Sequence, residues 1–132
     1  MAGPDPLKDR IIEQRVRNRL IEYFQLASSY AAQAEYEHAA PPFVYVPHEV
    51  IEQWGDWVHH LDVVLDTSQV YTDEERGVLR EFQRVWESAA DAVGGDYPSL
   101  AAVQEIPAWE TMRREAESAL SVFSRRGRLP EE

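Results

Sequence analysis

The stretch from Pro47 to Asp66, PHEVIEQWGDWVHHLDVVLD, does most to narrow what this chain can fold into. On a helical wheel, Val50, Ile51, Trp54, Trp57, Val58, Leu61, Val64 and Leu65 fall within one arc of roughly 140°. That spacing predicts a helix with one face built for a core. The rest of its circumference carries Glu49, Glu52, Gln53, Asp56, Asp62, Asp66, His48, His59 and His60, interrupted only by Gly55 and Val63. Its polar face therefore holds five carboxylates and three imidazoles with no lysine or arginine among them.

The same one-sidedness extends beyond this helix. Between Leu20 and Glu75 there is no Lys or Arg, yet eleven acids occur: Glu22, Glu35, Glu37, Glu49, Glu52, Asp56, Asp62, Asp66, Asp73, Glu74 and Glu75. The remaining 13 acids balance the 13 bases, so the net charge of −11 arises in this one segment. Solubility alone is served equally well by interspersed charges. Sorting this complete predicts an electronegative face, which disfavours direct nucleic-acid binding because phosphates need basic side chains.

Apolar periodicity extends the helical reading along the chain. From Leu7 to Glu37, Ile12, Val16, Leu20, Tyr23, Phe24, Ala27, Tyr30, Ala31 and Ala34 form one stripe. One long helix is expected, with Ser28-Ser29 its weakest point and Arg10, Arg15, Arg17 and Arg19 on its outside. Pro41 and Pro42 stop it, leaving Phe43 to Val46 as a short extended piece. Thr72 to Glu75 reads as a capping box opening a helix to Val93, ended by Gly94. Ser99 caps a short helix from Leu100 to Glu105, and Pro107 opens the last helix, which runs to Arg126. The expected fold is all-α, a single domain over 1–132. It is an antiparallel bundle of four main helices with a Pro-rich crossing segment and a short extra helix, loose at 1–6 and 128–132.

Absence of cysteine excludes a disulfide framework or thiolate metal site and fits a cytoplasmic setting. The opening MAGPDPLKDR has no apolar h-region and no run approaches 18 apolar residues, so neither secretion nor a membrane partner is expected. No phosphate loop, nucleophile elbow or serine triad context stands out, and the chain reads as a non-enzyme without cofactor. Glu35-x-x-His38 and Asp56-x-x-His59 match in spacing the carboxylate-x-x-histidine pairs of ferritin-like di-metal bundles. Such a site needs inward ligands from other helices, whereas Asp56, His59, Glu81 and Glu115 all fall at surface positions, so no metal site is expected.

Phe43 to Val58, FVYVPHEVIEQWGDWV, follows an acidic helical stretch and an Ala-Pro-Pro. It resembles the small acidic helical immunity-type proteins of bacteria. The resemblance implies a protein that binds a toxin made beside it and blocks its active site. It supplies no residue-by-residue motif.

The functional expectation is thus a binding module whose acidic face masks a basic surface on a partner protein, most concretely a toxin or nuclease. Its contact residues are expected to be Glu49, Glu52, Asp56, His59, His60 and Asp62, with Tyr45 as apolar anchor and Tyr36 and Phe43 as further candidates. The alternative is a helical homodimer, structural or regulatory, joined through the off-stripe residues Ile11, Ile21, Leu26 and Tyr36. A metal-binding helical enzyme stands third.

Overall fold

The computed structural model describes residues 6–132, and these form six helices with no strand among the described residues. They are α1 Pro6–Ala27, α2 Tyr30–Ala39, α3 Val46–Val64, α4 Asp73–Val93, α5 Leu100–Val103 and α6 Pro107–Ser124. The loose lead expected at 1–6 lies outside the described residues except for Pro6, the first residue of α1. None of the described helices is long and apolar enough to cross a membrane.

The single helix expected over Leu7 to Glu37 is two helices. Ser29 is extended at φ −129° and ψ 112°, and its hydroxyl caps α2 by accepting from the Ala32 amide at 3.0 Å. The last carbonyls of α1 are covered by Gln33, a fully buried amide that donates to Leu26 O and Ala27 O at 3.3 and 3.2 Å. Gln33 Oε1 in turn accepts from Trp109 Nε1 at 3.2 Å, tying the break to α6. The change of direction rotates Ala31 and Ala34 out to solvent, where a continuous stripe had placed them inside. Near the other end of α1, Ile12 is 40 % exposed, while Ile21, expected off the stripe, is 5 % exposed. Leu26 and Tyr36 also pack against the core, which draws in three of the four side chains that the homodimer reading would use.

The core is aromatic. Phe82 of α4 meets Trp54 of α3 at 4.7 Å and Phe24 of α1 at 5.2 Å between ring centroids, and Phe24 reaches Phe123 of α6 at 5.8 Å. All four rings are essentially inaccessible. Burying each contributes about 1.5–3 kcal/mol, with edge-on ring contacts adding about 0.5–1.5 kcal/mol. α4 packs chiefly on α6, and α6 also on α1.

Arg17, expected on the outside of α1, lies wholly inside. Its Nη2 and Nε donate to Glu75 at 2.8 and 3.2 Å, and its Nη1 and Nη2 to Gly127 O and Phe123 O at 2.6 and 3.1 Å. Glu75 still closes the capping box with Thr72, as expected. One carboxylate therefore both starts α4 and receives a buried guanidinium.

The connectors also differ from expectation. Phe43 to Val46 is extended only in part: Val44 N donates to Pro41 O at 3.0 Å, closing a turn, Tyr45 is extended at φ −101° and ψ 101°, and Val46 already belongs to α3, where Pro47 needs no amide partner. Gly94 does end α4, but at φ 59° and ψ −153°, a conformation open essentially to glycine alone. The last helix stops at Ser124 rather than Arg126. Of residues 128–132, expected to be loose, 128–131 are hydrogen-bonded along α1, and Leu129 packs against the core.

Candidate protein-binding surface

The rotation of α3 about its axis decides which side chains reach solvent, and hydrogen bonds from two neighbouring helices fix it. Tyr23 of α1 donates to Val50 O at 2.8 Å. Trp86 of α4 donates to Ile51 O at 3.0 Å, and Trp54 Nε1 donates to Gln83 Oε1 at 2.6 Å. With Val50, Trp54, Leu61 and Leu65 buried, Glu52, Asp56, His59 and Asp62 stand exposed and Glu49 half-exposed. The expected outward flank of α3 is present.

The base-free segment as a whole does not form one open face. Ion pairs take up five of its eleven acids. Glu22 meets Arg19 and Arg128, both at 3.1 Å, and Asp66 meets Arg80. Asp73 pairs with Arg76 at 2.8 Å and Glu74 with Arg125 at 2.6 Å. Glu75 pairs with Arg17 and Arg126 at 2.8 and 2.5 Å. Arginines from the two ends of the chain thus neutralise the start of α4. Glu35, Glu37, Glu49, Glu52, Asp56 and Asp62 have no ion pair among the described residues.

Around the α3 carboxylates the surface is grooved. Glu49, Glu52 and Asp56 border a shallow depression of about 410 Å³ whose other walls include Ile51 and Trp86. On the opposite side Asp56 borders a second, of about 250 Å³, with Tyr23, Trp57 and Arg19. The half-buried indoles of Trp57 and Trp86 therefore flank an acidic ridge, and Asp56 belongs to both grooves. Carboxylates beside partly exposed indoles suit a guanidinium or ammonium carried on an apolar surface.

The other residues expected here divide. His60 is drawn to α1, its Nε2 2.9 Å from a Glu13 carboxylate oxygen, so it braces α3 rather than facing outward freely. Tyr45 is spent on the fold as well: its hydroxyl donates to Pro98 O, and its ring packs on His48 and Tyr97 at 4.6 and 5.1 Å. Burial, with a smaller effect of Tyr97, raises the Tyr45 pKa. Phe43, two residues before it, is 87 % exposed at the proline turn and is the free aromatic of this region. Tyr97, 64 % exposed, lies beyond what the sequence reading reached; it stands at φ 50°, uncommon for a residue with a side chain. The Gly94-Gly95 pair before it was the available signal of an irregular turn.

No family model, curated protein or solved structure matches this chain. What it can do must be argued from its own surface. Among the described residues no three His, Asp or Glu side chains converge as a metal centre would require. Glu35, His38, Asp56 and His59 are all exposed. The strongest chemistry on offer is electrostatic: carboxylates on α3 that make no ion pair among the described residues.

Proposed function

We propose that this chain is a non-enzymatic protein-binding module, built on an antiparallel bundle of α1, α3, α4 and α6, whose acidic ridge masks a basic surface on a partner protein. The observation that carries this reading is the pairing pattern. Arginines neutralise the acids at the start of α4, whereas Glu49, Glu52 and Asp56 on α3 are left unpaired between two indoles, with Asp62 unpaired further along the helix. Unpaired exposed carboxylates repel one another and add nothing to folding, so their clustering is best accounted for by an external cation. The charge suits a basic partner, and the resemblance to immunity-type proteins implies that this is a toxin or nuclease held in check inside a bacterial cytoplasm. Glu52 and Asp56 supply the steering charge, Glu49 and Asp62 extend the ridge, and Phe43 replaces Tyr45 as the apolar anchor.

The test is the double charge reversal Glu52→Lys and Asp56→Lys. Immobilised wild-type chain should capture a basic protein from a lysate of its source cells at low salt and release it at high salt. The double variant should keep its circular dichroism spectrum and melting temperature while binding that protein about 100-fold more weakly, on the order of 3 kcal/mol for two contacts. Phe43→Ala should cost about tenfold. Capture of the same protein by both the wild-type chain and the double variant with equal affinity overturns the reading.

A further inference from the structure

We propose that the edge of α1 formed by Gln14, Arg15, Asn18 and Arg19 is a receptor site for an extended peptide segment. The peptide it fits carries an apolar residue, a proline and a carboxylate in succession, and the chain's own residues 127–132 fill the site in cis. This site is separate from the acidic ridge and does not depend on its function.

The argument begins with what is buried. Asn18 is fully inaccessible and Gln14 is 6 % exposed, although both are amides. The segment lying on them is the reverse: Arg128, Pro130 and Glu132 are exposed, and only Leu129 and Glu131 are half-buried. Leu129 alone of the segment packs on the core; beneath the rest lie two buried amides and two arginines, Arg15 exposed and Arg19 partly exposed.

The contacts read a peptide backbone. The Asn18 carboxamide donates through Nδ2 to Leu129 O and accepts from Leu129 N, both at 2.8 Å, as a neighbouring β-strand would. Gln14 Nε2 donates to Pro130 O at 2.6 Å and Arg15 Nε to Glu131 O at 3.0 Å. Gln14 and Asn18, like Arg15 and Arg19, are four residues apart, so two adjacent columns of α1 run beside the segment.

Side-chain selectivity comes from two positions. Leu129 packs against the core. The Glu131 carboxylate accepts from Asn18 Nδ2 at 2.9 Å, Arg19 Nη2 at 2.7 Å and the segment's own Arg128 at 3.0 Å; the Asn18 bond first, then Arg19 and Arg128, hold its pKa below the usual range. Pro130 between them restricts the backbone in advance and lowers the ordering cost of binding. Upstream, Arg17 Nη1 holds Gly127 O at 2.6 Å, and Gly127 turns the chain at φ +67°. A partner protein presenting the same run of chemistry would meet the same floor.

A tethered segment acts at millimolar effective concentration, so the cis occupant must be released before a free peptide is seen to bind. The probe is the fluorescent hexapeptide Gly-Arg-Leu-Pro-Glu-Glu, titrated into the full chain carrying Leu129→Asp and Glu131→Ala. Saturable binding is expected, about 100-fold tighter than to the wild-type chain and lost when Asn18→Leu is added. A peptide with Ala at its fifth position should bind that chain about tenfold more weakly, and Arg19→Ala should narrow this difference, the Asn18 contact remaining. No binding to the released chain, or binding that survives Asn18→Leu, overturns the proposal.

Should the released chain fail to fold, hydrogen exchange on the unaltered chain decides. The Leu129 amide should exchange at least tenfold faster than the amides in the middle of α6, because the segment detaches without global unfolding. Exchange of Leu129 at the global unfolding rate makes the segment part of the core, and the proposal falls.

Discussion

Arg17 of α1 and Glu75 of α4 meet in the interior of the protein, Nη2 to Oε2 at 2.8 Å, with side-chain exposures of 0 % and 2 %. Two charges removed from water hold together because each guanidinium nitrogen and each carboxylate oxygen has a hydrogen-bond partner. Arg126 and the Thr72 amide complete Glu75, and the carbonyls of Phe123 and Gly127 complete Arg17. Three segments distant in sequence are joined at this point.

Breaking the pair from one side should therefore cost far more than a surface ion pair would. Arg17→Met leaves the half-exposed Arg126 as the only charged partner of Glu75, and a loss of about 3–5 kcal/mol is expected. That corresponds to a fall of about 10–20 °C in melting temperature. The double variant Arg17→Met with Glu75→Gln should lose less than the two single changes added together. Urea denaturation of the three proteins measures this, and a single-variant loss below about 1 kcal/mol would contradict burial of the pair.

Stability should fall in acid over a definite window. Burial alone would raise the Glu75 pKa, but hydrogen bonds from Arg17, Arg126 and the Thr72 backbone together bring it below the ordinary 4.5. Glu110 is lowered to about 2, first by its hydrogen bond to Arg113 and next by that from Tyr30. The unfolded chain binds these protons more readily than the folded one, so the stabilisation is complete above about pH 4.5 and is lost on descent towards pH 2. Melting temperature should be level from pH 7 to pH 5 and then drop, with a shallower drop in Glu75→Gln, whose stability is already reduced at neutral pH. Glu115 has the opposite sign: burial and then Glu81 raise its pKa, so Glu115→Gln should gain stability at pH 7.

Two glycines of the α4 region should respond in opposite directions to alanine. Gly77 lies within the helix, exposed, with nothing within 4 Å of an added Cβ, so Gly77→Ala should stabilise by about 0.5–1 kcal/mol. Gly94, at φ 59°, cannot accept a Cβ without strain, and Gly94→Ala should destabilise by about 1–3 kcal/mol. Paired thermal melts check both signs.

Local chemistry was legible wherever one short stretch sufficed to decide it. The inward arc of α3, the Thr72–Glu75 capping box, the Ser99 cap and the stop at Gly94 all follow from side-chain spacing and terminal hydrogen bonds within a few residues. The outward carboxylates Glu52, Asp56 and Asp62 were readable for the same reason: a helix that buries one arc must expose the other. Phe43 could be named as a candidate but not preferred, since the choice between it and Tyr45 turned on the Pro98 carbonyl, 53 residues further along from Tyr45.

Sequence by itself thus determined that the chain is helical and that its excess of acid lies between Leu20 and Glu75. Tertiary structure decided which charges remained available. Arg17, indistinguishable in sequence from the surface arginines beside it, went inside because Glu75, Phe123 and Gly127 arrive from 58 to 110 residues away. Leu129 and Pro130 lie along α1 with their backbone hydrogen-bonded to Asn18 and Gln14, 111 and 116 residues earlier. The physical reason is common to both. Periodicity reports how a segment divides its own faces, whereas the fate of a polar group depends on partners that only folding brings within hydrogen-bond reach.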